Sequence, residues 1–326
     1  MRRLTVTAES WPIAGTFTIS RGSKTAADVV LVEIAEGAHR GRGECVPYGR
    51  YGETSAGSIE EVESLRGKLE AGLGRRELQG AMKPGAARNA LDCALWDLEA
   101  KQSGRSAAEL AGLPTLQPVT TAYTLSLATV DNMAAAAKAN AHRPLLKLKL
   151  SGPGDLDRVA AVHASAPKSR LIVDANEGWT PEIFAELVPR LVPLGVEMIE
   201  QPLAASADGA LANLARPIAV CADESCHGVE TLPKLAGKYD AVNIKLDKTG
   251  GLTGAFALAA AAEAQGFAVM IGCMVATSLA VAPAMLVAQR ARWVDLDGPL
   301  LLARDREQGL AFDGSLVYPP RRELWG

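Results

Sequence analysis

LLKLKL (145–150) decides how the rest of the chain is read. On a strand, Lys147 and Lys149 share one face, while Leu146, Leu148 and Leu150 take the other. Six later apolar segments repeat the design, each closing on polar residues. RLIVDAN (170–176) ends on Asp174 and Asn176, GVEMIEQP (195–202) on Glu200, and IAVCADES (218–225) on Asp223 and Glu224. AVNIKLDK (241–248) then brings Lys245, AVMIGCM (268–274) Cys273 and Met274, and RWVDLDGP (292–299) Asp295 and Asp297. These ends recur 22 to 28 residues apart. A strand of about 5 residues, a helix of about 11 and two loops fill such an interval. The intervening stretches, such as PEIFAELVPRLVPL and GAFALAAAAEAQ, carry helical spacing. Strands alternating with helices imply a parallel sheet. Polar residues at the C-terminal end of one strand after another imply a closed (β/α) barrel, whose active site lies at that face. An open doubly wound sheet is the alternative.

Outward from this stretch the rhythm changes. LTVTAES (4–10), GTFTIS (15–20) and DVVLVEIAE (28–36) read as three strands, with RGSKTAA (21–27) as a polar turn between the last two. GRGECVPYGRYGETSAGS (41–58) reads as loop. Two helical stretches follow, one opening at Ser58 as cap and one running from Ala86 to a stop at Gly104. VTTAYTLSL (119–127) reads as the first barrel strand, so the expected division is an α+β domain over 1–118 and a barrel over 119–299. The tail 300–326, with a hairpin pattern in GLAFDGSLVY (309–318), is expected to return to the first domain.

Composition removes several classes of function. The 326 residues are 48% hydrophobic and 22% charged, ordinary for a globular protein, and long enough for a barrel plus a smaller domain. A net charge of −3, without a Lys/Arg stripe, offers nothing to nucleic acid. Neither a signal peptide nor an apolar run of about 18 residues is found. The five cysteines form no CxxC pair, which fits reduced thiols and a cytoplasmic location.

Asp174, Glu200 and Asp223 end successive strands, so a barrel brings them together. Carboxylates that close repel one another unless a cation lies among them. An all-oxygen donor set suits a hard ion, Mg²⁺ before Mn²⁺, with Asn176 and Glu224 as supporting groups behind the ligands. The alternative is three solvated loop carboxylates. Lys147 and Lys149, side by side in the mouth, are expected to depress each other's pKa, which makes a lysine a usable base. Lys245 occupies the matching position three units later, leaving Lys149 and Lys245 facing each other. Lys248 reads as a loop residue in DKTGG. Two opposed amines beside a divalent ion suit removal of a proton α to a carboxylate and its return on the other face. That reaction is a racemisation or epimerisation.

The ordered set KLKL, VDAN, IEQP, ADES, NIKLDKTGG and DLDGP resembles the enolase superfamily, in the subgroup of muconate-lactonizing enzymes and dipeptide epimerases. The resemblance covers nearly the whole chain and is closest to L-Ala-D/L-Glu epimerases. It implies a modified (β/α)₇β TIM-like barrel with an N-terminal α+β capping domain that closes over the site. One Mg²⁺ per subunit on Asp174, Glu200 and Asp223, and acid/base roles for Lys149 and Lys245, are implied as well. Asp295 and Asp297 are implied to bind the dipeptide's amino terminus, and a carboxylate pair does want a cation. A structural salt bridge to Arg292 or Arg304 is the alternative for that pair. Arg21 and Lys24 are expected to meet an acidic side chain, and Lys147, Cys273 and Met274 to line the pocket. His227 reads as a capping or surface residue.

Competing readings remain distinct. A Schiff-base aldolase has no use for three metal-binding carboxylates. A cycloisomerase or o-succinylbenzoate synthase would reuse the metal and lysines, but its substrate has no ammonium group for the Asp pair. A metal-binding barrel without activity leaves the opposed lysines unexplained. The expected partner is a small dipeptide, with a place in murein peptide metabolism if it is L-Ala-Glu. Neither nucleic acid nor membrane is expected, and a homo-oligomer is compatible with the sequence.

Overall fold

The computed structural model describes residues 2–326. Its N-terminal sheet has three antiparallel strands, β1 (Arg2–Ile19), β2 (Gly22–Glu36) and β3 (His39–Cys45). LTVTAES and GTFTIS are not separate strands. They form one 18-residue β1 whose register shifts between Pro12 and Phe17, around Gly15 at φ +92°. The turn after it is shorter than expected, because Phe17 already pairs with Lys24 and Pro12 with Ala26. Strand β3 falls where a loop was expected. Its glycines serve close approach rather than a turn: a Cβ at Gly41 or Gly43 would collide with the carbonyl oxygens of Ala94 and Ala90. The helix Ala86–Ser103 therefore lies directly on the strand and ends at Gly104, φ +73°, as read from sequence. The first α-helix, Ser55–Ser64, is capped by Thr54, which accepts from the Gly57 amide at 3.0 Å. Ser58, the expected cap, is buried instead.

Val119–Thr120 (β4) lies outside the barrel. The barrel strands are β5 (Tyr123–Leu125), β6 (Leu145–Lys149), β7 (Arg170–Asp174), β8 (Val196–Glu200), β9 (Ala219–Ala222), β10 (Ala241–Ile244), β11 (Ala268–Gly272) and β12 (Trp293–Asp295). They pair in sequence order, all parallel, and the Ala122 amide donates to Val294 O at 2.8 Å across the remaining seam. Helical segments fill all seven connections, and a 3₁₀ turn, Gly298–Leu301, follows the eighth strand. The architecture is the (β/α)₇β barrel.

The alternation of LLKLKL is visible in three dimensions. Leu145 joins Ile172, Met198, Cys221, Ala241, Met270 and Trp293 in an apolar plug inside the barrel. Lys147 lies one layer higher and Lys149 at the mouth, whereas Leu146, Leu148 and Leu150 pack among the outer helices. Burial of this apolar surface on both faces drives the closure.

The tail does not return wholly to the first domain. Leu302 bridges to Ile13 of β1, and Trp325 donates to Cys93 O of the long helix at 3.0 Å. Between them, β13 (Phe312–Asp313) and β14 (Leu316–Val317) form the hairpin, which pairs with β4 beneath the barrel. Among the described residues the five cysteines are free, and no helix is long and apolar enough to cross a membrane.

Candidate active site

Strand order alone sets the geometry of the mouth. Lys149 ends β6 and Lys245 directly follows β10, four positions apart in a ring of eight, so they stand on opposite sides. Asp174 and Glu200 end β7 and β8, and Asp223 directly follows β9, filling the arc between the lysines. Asp295 ends β12, opposite Glu200, with Asp297 two residues beyond the strand. The mouth thus has a lysine axis crossed by a carboxylate axis.

Lys147 occupies the crossing point one layer down. Its Nζ lies 2.6 Å from Glu200, 2.6 Å from Asp295 and 3.3 Å from Asp174. Lys149 donates to Asp174 at 2.6 Å and Lys245 to Asp223 at 2.8 Å. Burial works against charge on Lys147, but Asp295, Glu200 and Asp174 outweigh it and hold the amine well above its ordinary value. Lys245 is likewise raised, against its burial, chiefly by Asp223 and Glu200. The expectation that neighbouring lysines depress one another therefore fails for Lys147 in this charge environment, because the carboxylates are closer partners than the second amine.

The acids divide by partner. Burial raises Asp174, yet Lys149 and Lys147 bring its pKa down to about 2, and Lys245 and Lys248 hold Asp223 low in the same way. Glu200 is pushed up to about 7 by burial and by Asp174. Asp297 is also pushed up to about 7, by burial and by Asp295.

Lys248 is no loop bystander. Its buried amine donates to Asp223 Oδ1 and O at 2.6 Å each and to Asn243 O at 2.9 Å. Asn243, two residues before Lys245 and therefore on its face of the strand, donates to Glu200 Oε1 at 2.7 Å. Gln201 accepts from the Asp223 and Ser225 amides at 2.9 and 3.1 Å and takes φ +33° to do so. Asn243 and Gln201 were not singled out from sequence, and Lys248 was read there only as a loop residue. The period-2 pattern could have flagged Asn243, but nothing local marks the tertiary partners of Lys248 and Gln201.

Among the described residues, no three His, Cys, Asp or Glu side chains are gathered around a common point as ligands of a metal ion; Lys147, Lys149, Lys245 and Lys248 stand at Asp174, Glu200 and Asp223 instead. The donor chemistry still fits one. Asn176 Oδ1, Glu200 Oε2 and Asn243 Oδ1 are buried oxygens with no hydrogen directed at them, although Lys147 is 2.6 Å from the second. Asn176, at φ +45°, donates from its amide and Nδ2 to Asp174 at 2.9 and 3.2 Å. Glu224 Oε2 and Asp295 Oδ1 are unpartnered as well, and the partner of Asp295 is Lys147 rather than Arg292 or Arg304, which lie over Trp293 and Trp11.

The N-terminal domain covers this mouth with the β1–β2 turn and residues 46–53, leaving a cavity of about 400 Å³ lined also by Cys273 and Met274. Arg21 is already engaged there. It donates to Glu224 at 2.7 Å, Asn176 O at 2.7 Å and Tyr48 Oη at 3.0 Å. Lys24 lies over the Tyr48 ring, 5.4 Å from its centroid, and no acid pairs with it among the described residues. His227 is half-buried against Tyr51, ring centroids 4.7 Å apart.

Comparison with known proteins agrees with this architecture. Residues 1–112 match the mandelate racemase / muconate lactonizing enzyme N-terminal domain, and residues 112–322 the enolase C-terminal domain-like family. The chain is 48% identical to the L-Ala-D/L-Glu epimerase of Escherichia coli (strain K12), over 96% of its own length and 98% of that protein's. Identity to an N-acetyl-D-glutamate racemase of Pseudoalteromonas sp is 45%, over 91% and 95% of the two chains. An Agrobacterium tumefaciens enolase family member, solved with sodium and L-Ala-L-Glu, superposes over the full length of both chains with a TM-score of 0.98 at 55% identity. A dipeptide epimerase from Enterococcus faecalis V583, solved with Mg and L-Leu-L-Tyr, gives 0.90 at 28% identity, covering 98% of this chain and 97% of that one. Matched in both halves, the chain belongs to the enolase superfamily, in its mandelate racemase / muconate-lactonizing branch.

Proposed function

We propose that this protein is a dipeptide epimerase acting on L-Ala-D/L-Glu, moving a proton between the two faces of the C-terminal residue's α-carbon. The observation that carries the reading is the placement of Lys149 and Lys245 on opposed strands across the cavity beneath the N-terminal domain. With Asp174 and Asp223 turned to a metal ion, the two amines would lose those carboxylate partners; one then takes the α-proton from its side, and the other returns a proton from the opposite side, which inverts the centre. Asp174, Glu200 and Asp223 would hold Mg²⁺, which stabilises the negative charge that the substrate carboxylate gains as the proton leaves. Asn176 orients Asp174, and Lys248 orients Asp223.

Asp295 and Asp297 receive the free amino terminus. The unpartnered Asp295 Oδ1 and the raised Asp297 mark a pocket short of one cation. Lys24 is the amine free to meet an acidic second side chain, and Arg21 braces the lid through Glu224. In this reading residues 1–118 act as the cap and 119–299 as the catalytic barrel. The enzyme works on murein-derived peptides in the cytoplasm, and no nucleic-acid or membrane partner is needed.

Proton NMR in D₂O with Mg²⁺ tests the reading on L-Ala-L-Glu beside N-acetyl-glutamate. Loss of the glutamate α-proton signal with growth of the L,D-diastereomer is expected for the dipeptide. Turnover of N-acetyl-glutamate alone would overturn the assignment of Asp295 and Asp297 to an ammonium group.

A further inference from the structure

Between Lys245 and the helix Leu252–Ala264 lies a single helical turn, Leu246–Thr249, with partners on two sides. Lys248 points into the barrel toward Asp223. Asp247 points the other way, into the contact with the N-terminal domain, where its Oδ1 accepts from the Val46 amide at 3.0 Å and from Asn89 Nδ2 at 2.8 Å. The carbonyls that end the turn, Thr249 O and Gly250 O, accept from Arg88 Nη2 and Nε at 2.8 and 3.1 Å. Arg88 and Asn89 belong to the first turn of the helix Ala86–Ser103. Val46 begins the lid segment that carries Tyr48 and Tyr51. The far end of that segment is fastened to the same helix by Glu53, which accepts from the Tyr48 and Ala86 amides at 3.0 and 2.9 Å.

Asp247 does not itself line the cavity, although its donor Val46 does. Yet it is a buried acid, pushed up to about 7 by burial in spite of its two donors, and the chemistry proposed above does not use it. Gly250 and Gly251, at φ +67° and +109°, let the chain pass so close to the long helix that a Cβ would strike Arg88 or Asp92. A buried, hydrogen-bonded connection between two units transmits displacement, because packed interfaces do not deform freely.

We propose that Asp247, backed by Arg88, is a positioning residue that couples closure of the lid to placement of the Lys245 amine. With residues 46–53 seated over the cavity, the Val46 amide holds Asp247, and the turn carries Lys245 into line with the α-carbon. Lys149, on the opposite strand, meets the other part of the cap, with its Nζ 5.9 Å from the Phe17 ring centroid, and among the described residues makes no hydrogen bond to residues 46–53.

This inference rests on the epimerase reading and makes the two lysines unequal. The test measures α-deuteration of L-Ala-L-Glu and of L-Ala-D-Glu separately in D₂O for wild type, K245A, D247A and D247N. K245A identifies the diastereomer whose proton faces Lys245. D247A is expected to slow exchange of that diastereomer about tenfold or more, while the other changes by no more than about twofold. D247N keeps an acceptor for the Val46 amide and is expected to recover most of the loss. Amide hydrogen exchange of residues 46–53 should quicken in D247A and not in D247N. Equal slowing of both diastereomers, or no slowing of either, would overturn the coupling and leave Asp247 as interface packing. If the wild type exchanged no dipeptide, the functional reading would fall. The link would then be judged by amide exchange alone, and unchanged protection in D247A would sink it. Should D247A not fold, N89A removes one of the two donors and is held to the same asymmetry.

Discussion

Lys149 and Arg21 reach the same cavity but are held in different ways. Lys149 ends a strand hydrogen-bonded on both sides, in register with Asp174 of β7, and is 7% exposed. Arg21 is at the tip of the β1–β2 hairpin, with a side chain 26% exposed and bonds that cross from one domain to the other. The groups assigned to proton transfer thus stand on the barrel frame, and those assigned to side-chain recognition stand on loops above it. A rigid frame holds reacting atoms in line, whereas loops tolerate change without loss of the core. The lesson is a division of labour: substitutions in the mouth should change the rate, and substitutions in the lid should change which dipeptide is accepted.

Removing Lys245 is the strongest way to break that division. K245A is expected to lower epimerisation by about 10²- to 10⁴-fold, the usual worth of a positioned acid/base group. Exchange of the diastereomer served by Lys149 should persist, as NMR in D₂O would show. An equal loss of exchange from both diastereomers would mean that the mouth does not contain two independent bases.

Glu200 supplies a pH test of the same frame. Its pKa of about 7 means that the cation must displace a proton below that pH. Mg²⁺ affinity, measured calorimetrically, should rise about tenfold per pH unit up to about 7 and then level off. The stability sign follows from the same shift. The raised carboxyl binds its proton more tightly folded than unfolded, so the metal-free protein should lose stability as pH climbs from about 4.5 to about 7. Asp247 and Asp297 titrate over the same window, so thermal melts of EDTA-treated wild type and E200Q are compared across it, and identical profiles would remove Glu200 from the account.

Asp297 sharpens the distinction between recognition at the mouth and in the lid. D297N should raise KM for dipeptides with a free amino terminus by about tenfold or more, since a charge-assisted hydrogen bond contributes about 1.5–3 kcal/mol. An N-acylated dipeptide should show no such penalty.

In the lid the effect is expected to be smaller and selective. K24M should cost L-Ala-L-Glu a few-fold in kcat/KM, given about 1 kcal/mol for a solvent-exposed ion pair. L-Ala-L-Leu should be unaffected. A comparable loss on both substrates would assign Lys24 to the lid's stability rather than to specificity. At the bottom of the scale, T54A removes a helix cap that does not line the cavity. It should lower unfolding free energy by about 1 kcal/mol with kinetics unchanged, as a denaturant titration would read.

Much of the mouth was legible because a parallel barrel turns sequence position into spatial position. Period-2 alternation told Lys147 and Lys149 apart from their leucines, and recurrent spacing arranged Asp174, Glu200 and Asp223 in consecutive order. The N-terminal domain resisted the same reading. Glycine marks loops and close packing alike, so Gly41 and Gly43 concealed β3, and a β-bulge concealed the continuity of β1. Lys248 was misread for a related reason. Its partner Asp223 is 25 residues away in sequence, and no local pattern separates a solvated lysine from one folded back into the barrel.

By itself the sequence determined the order of strands, the inward face of each and the chemical types gathered at the mouth, since strand geometry makes these consequences of spacing. Which amine each carboxylate would hold, that Arg21 would be taken by Glu224 while Lys24 stayed free, and that Asp247 would tie the lid to Lys245 were decided by tertiary structure. Those contacts join residues up to 203 positions apart, and their energies depend on burial and distance, which exist only once the chain has folded.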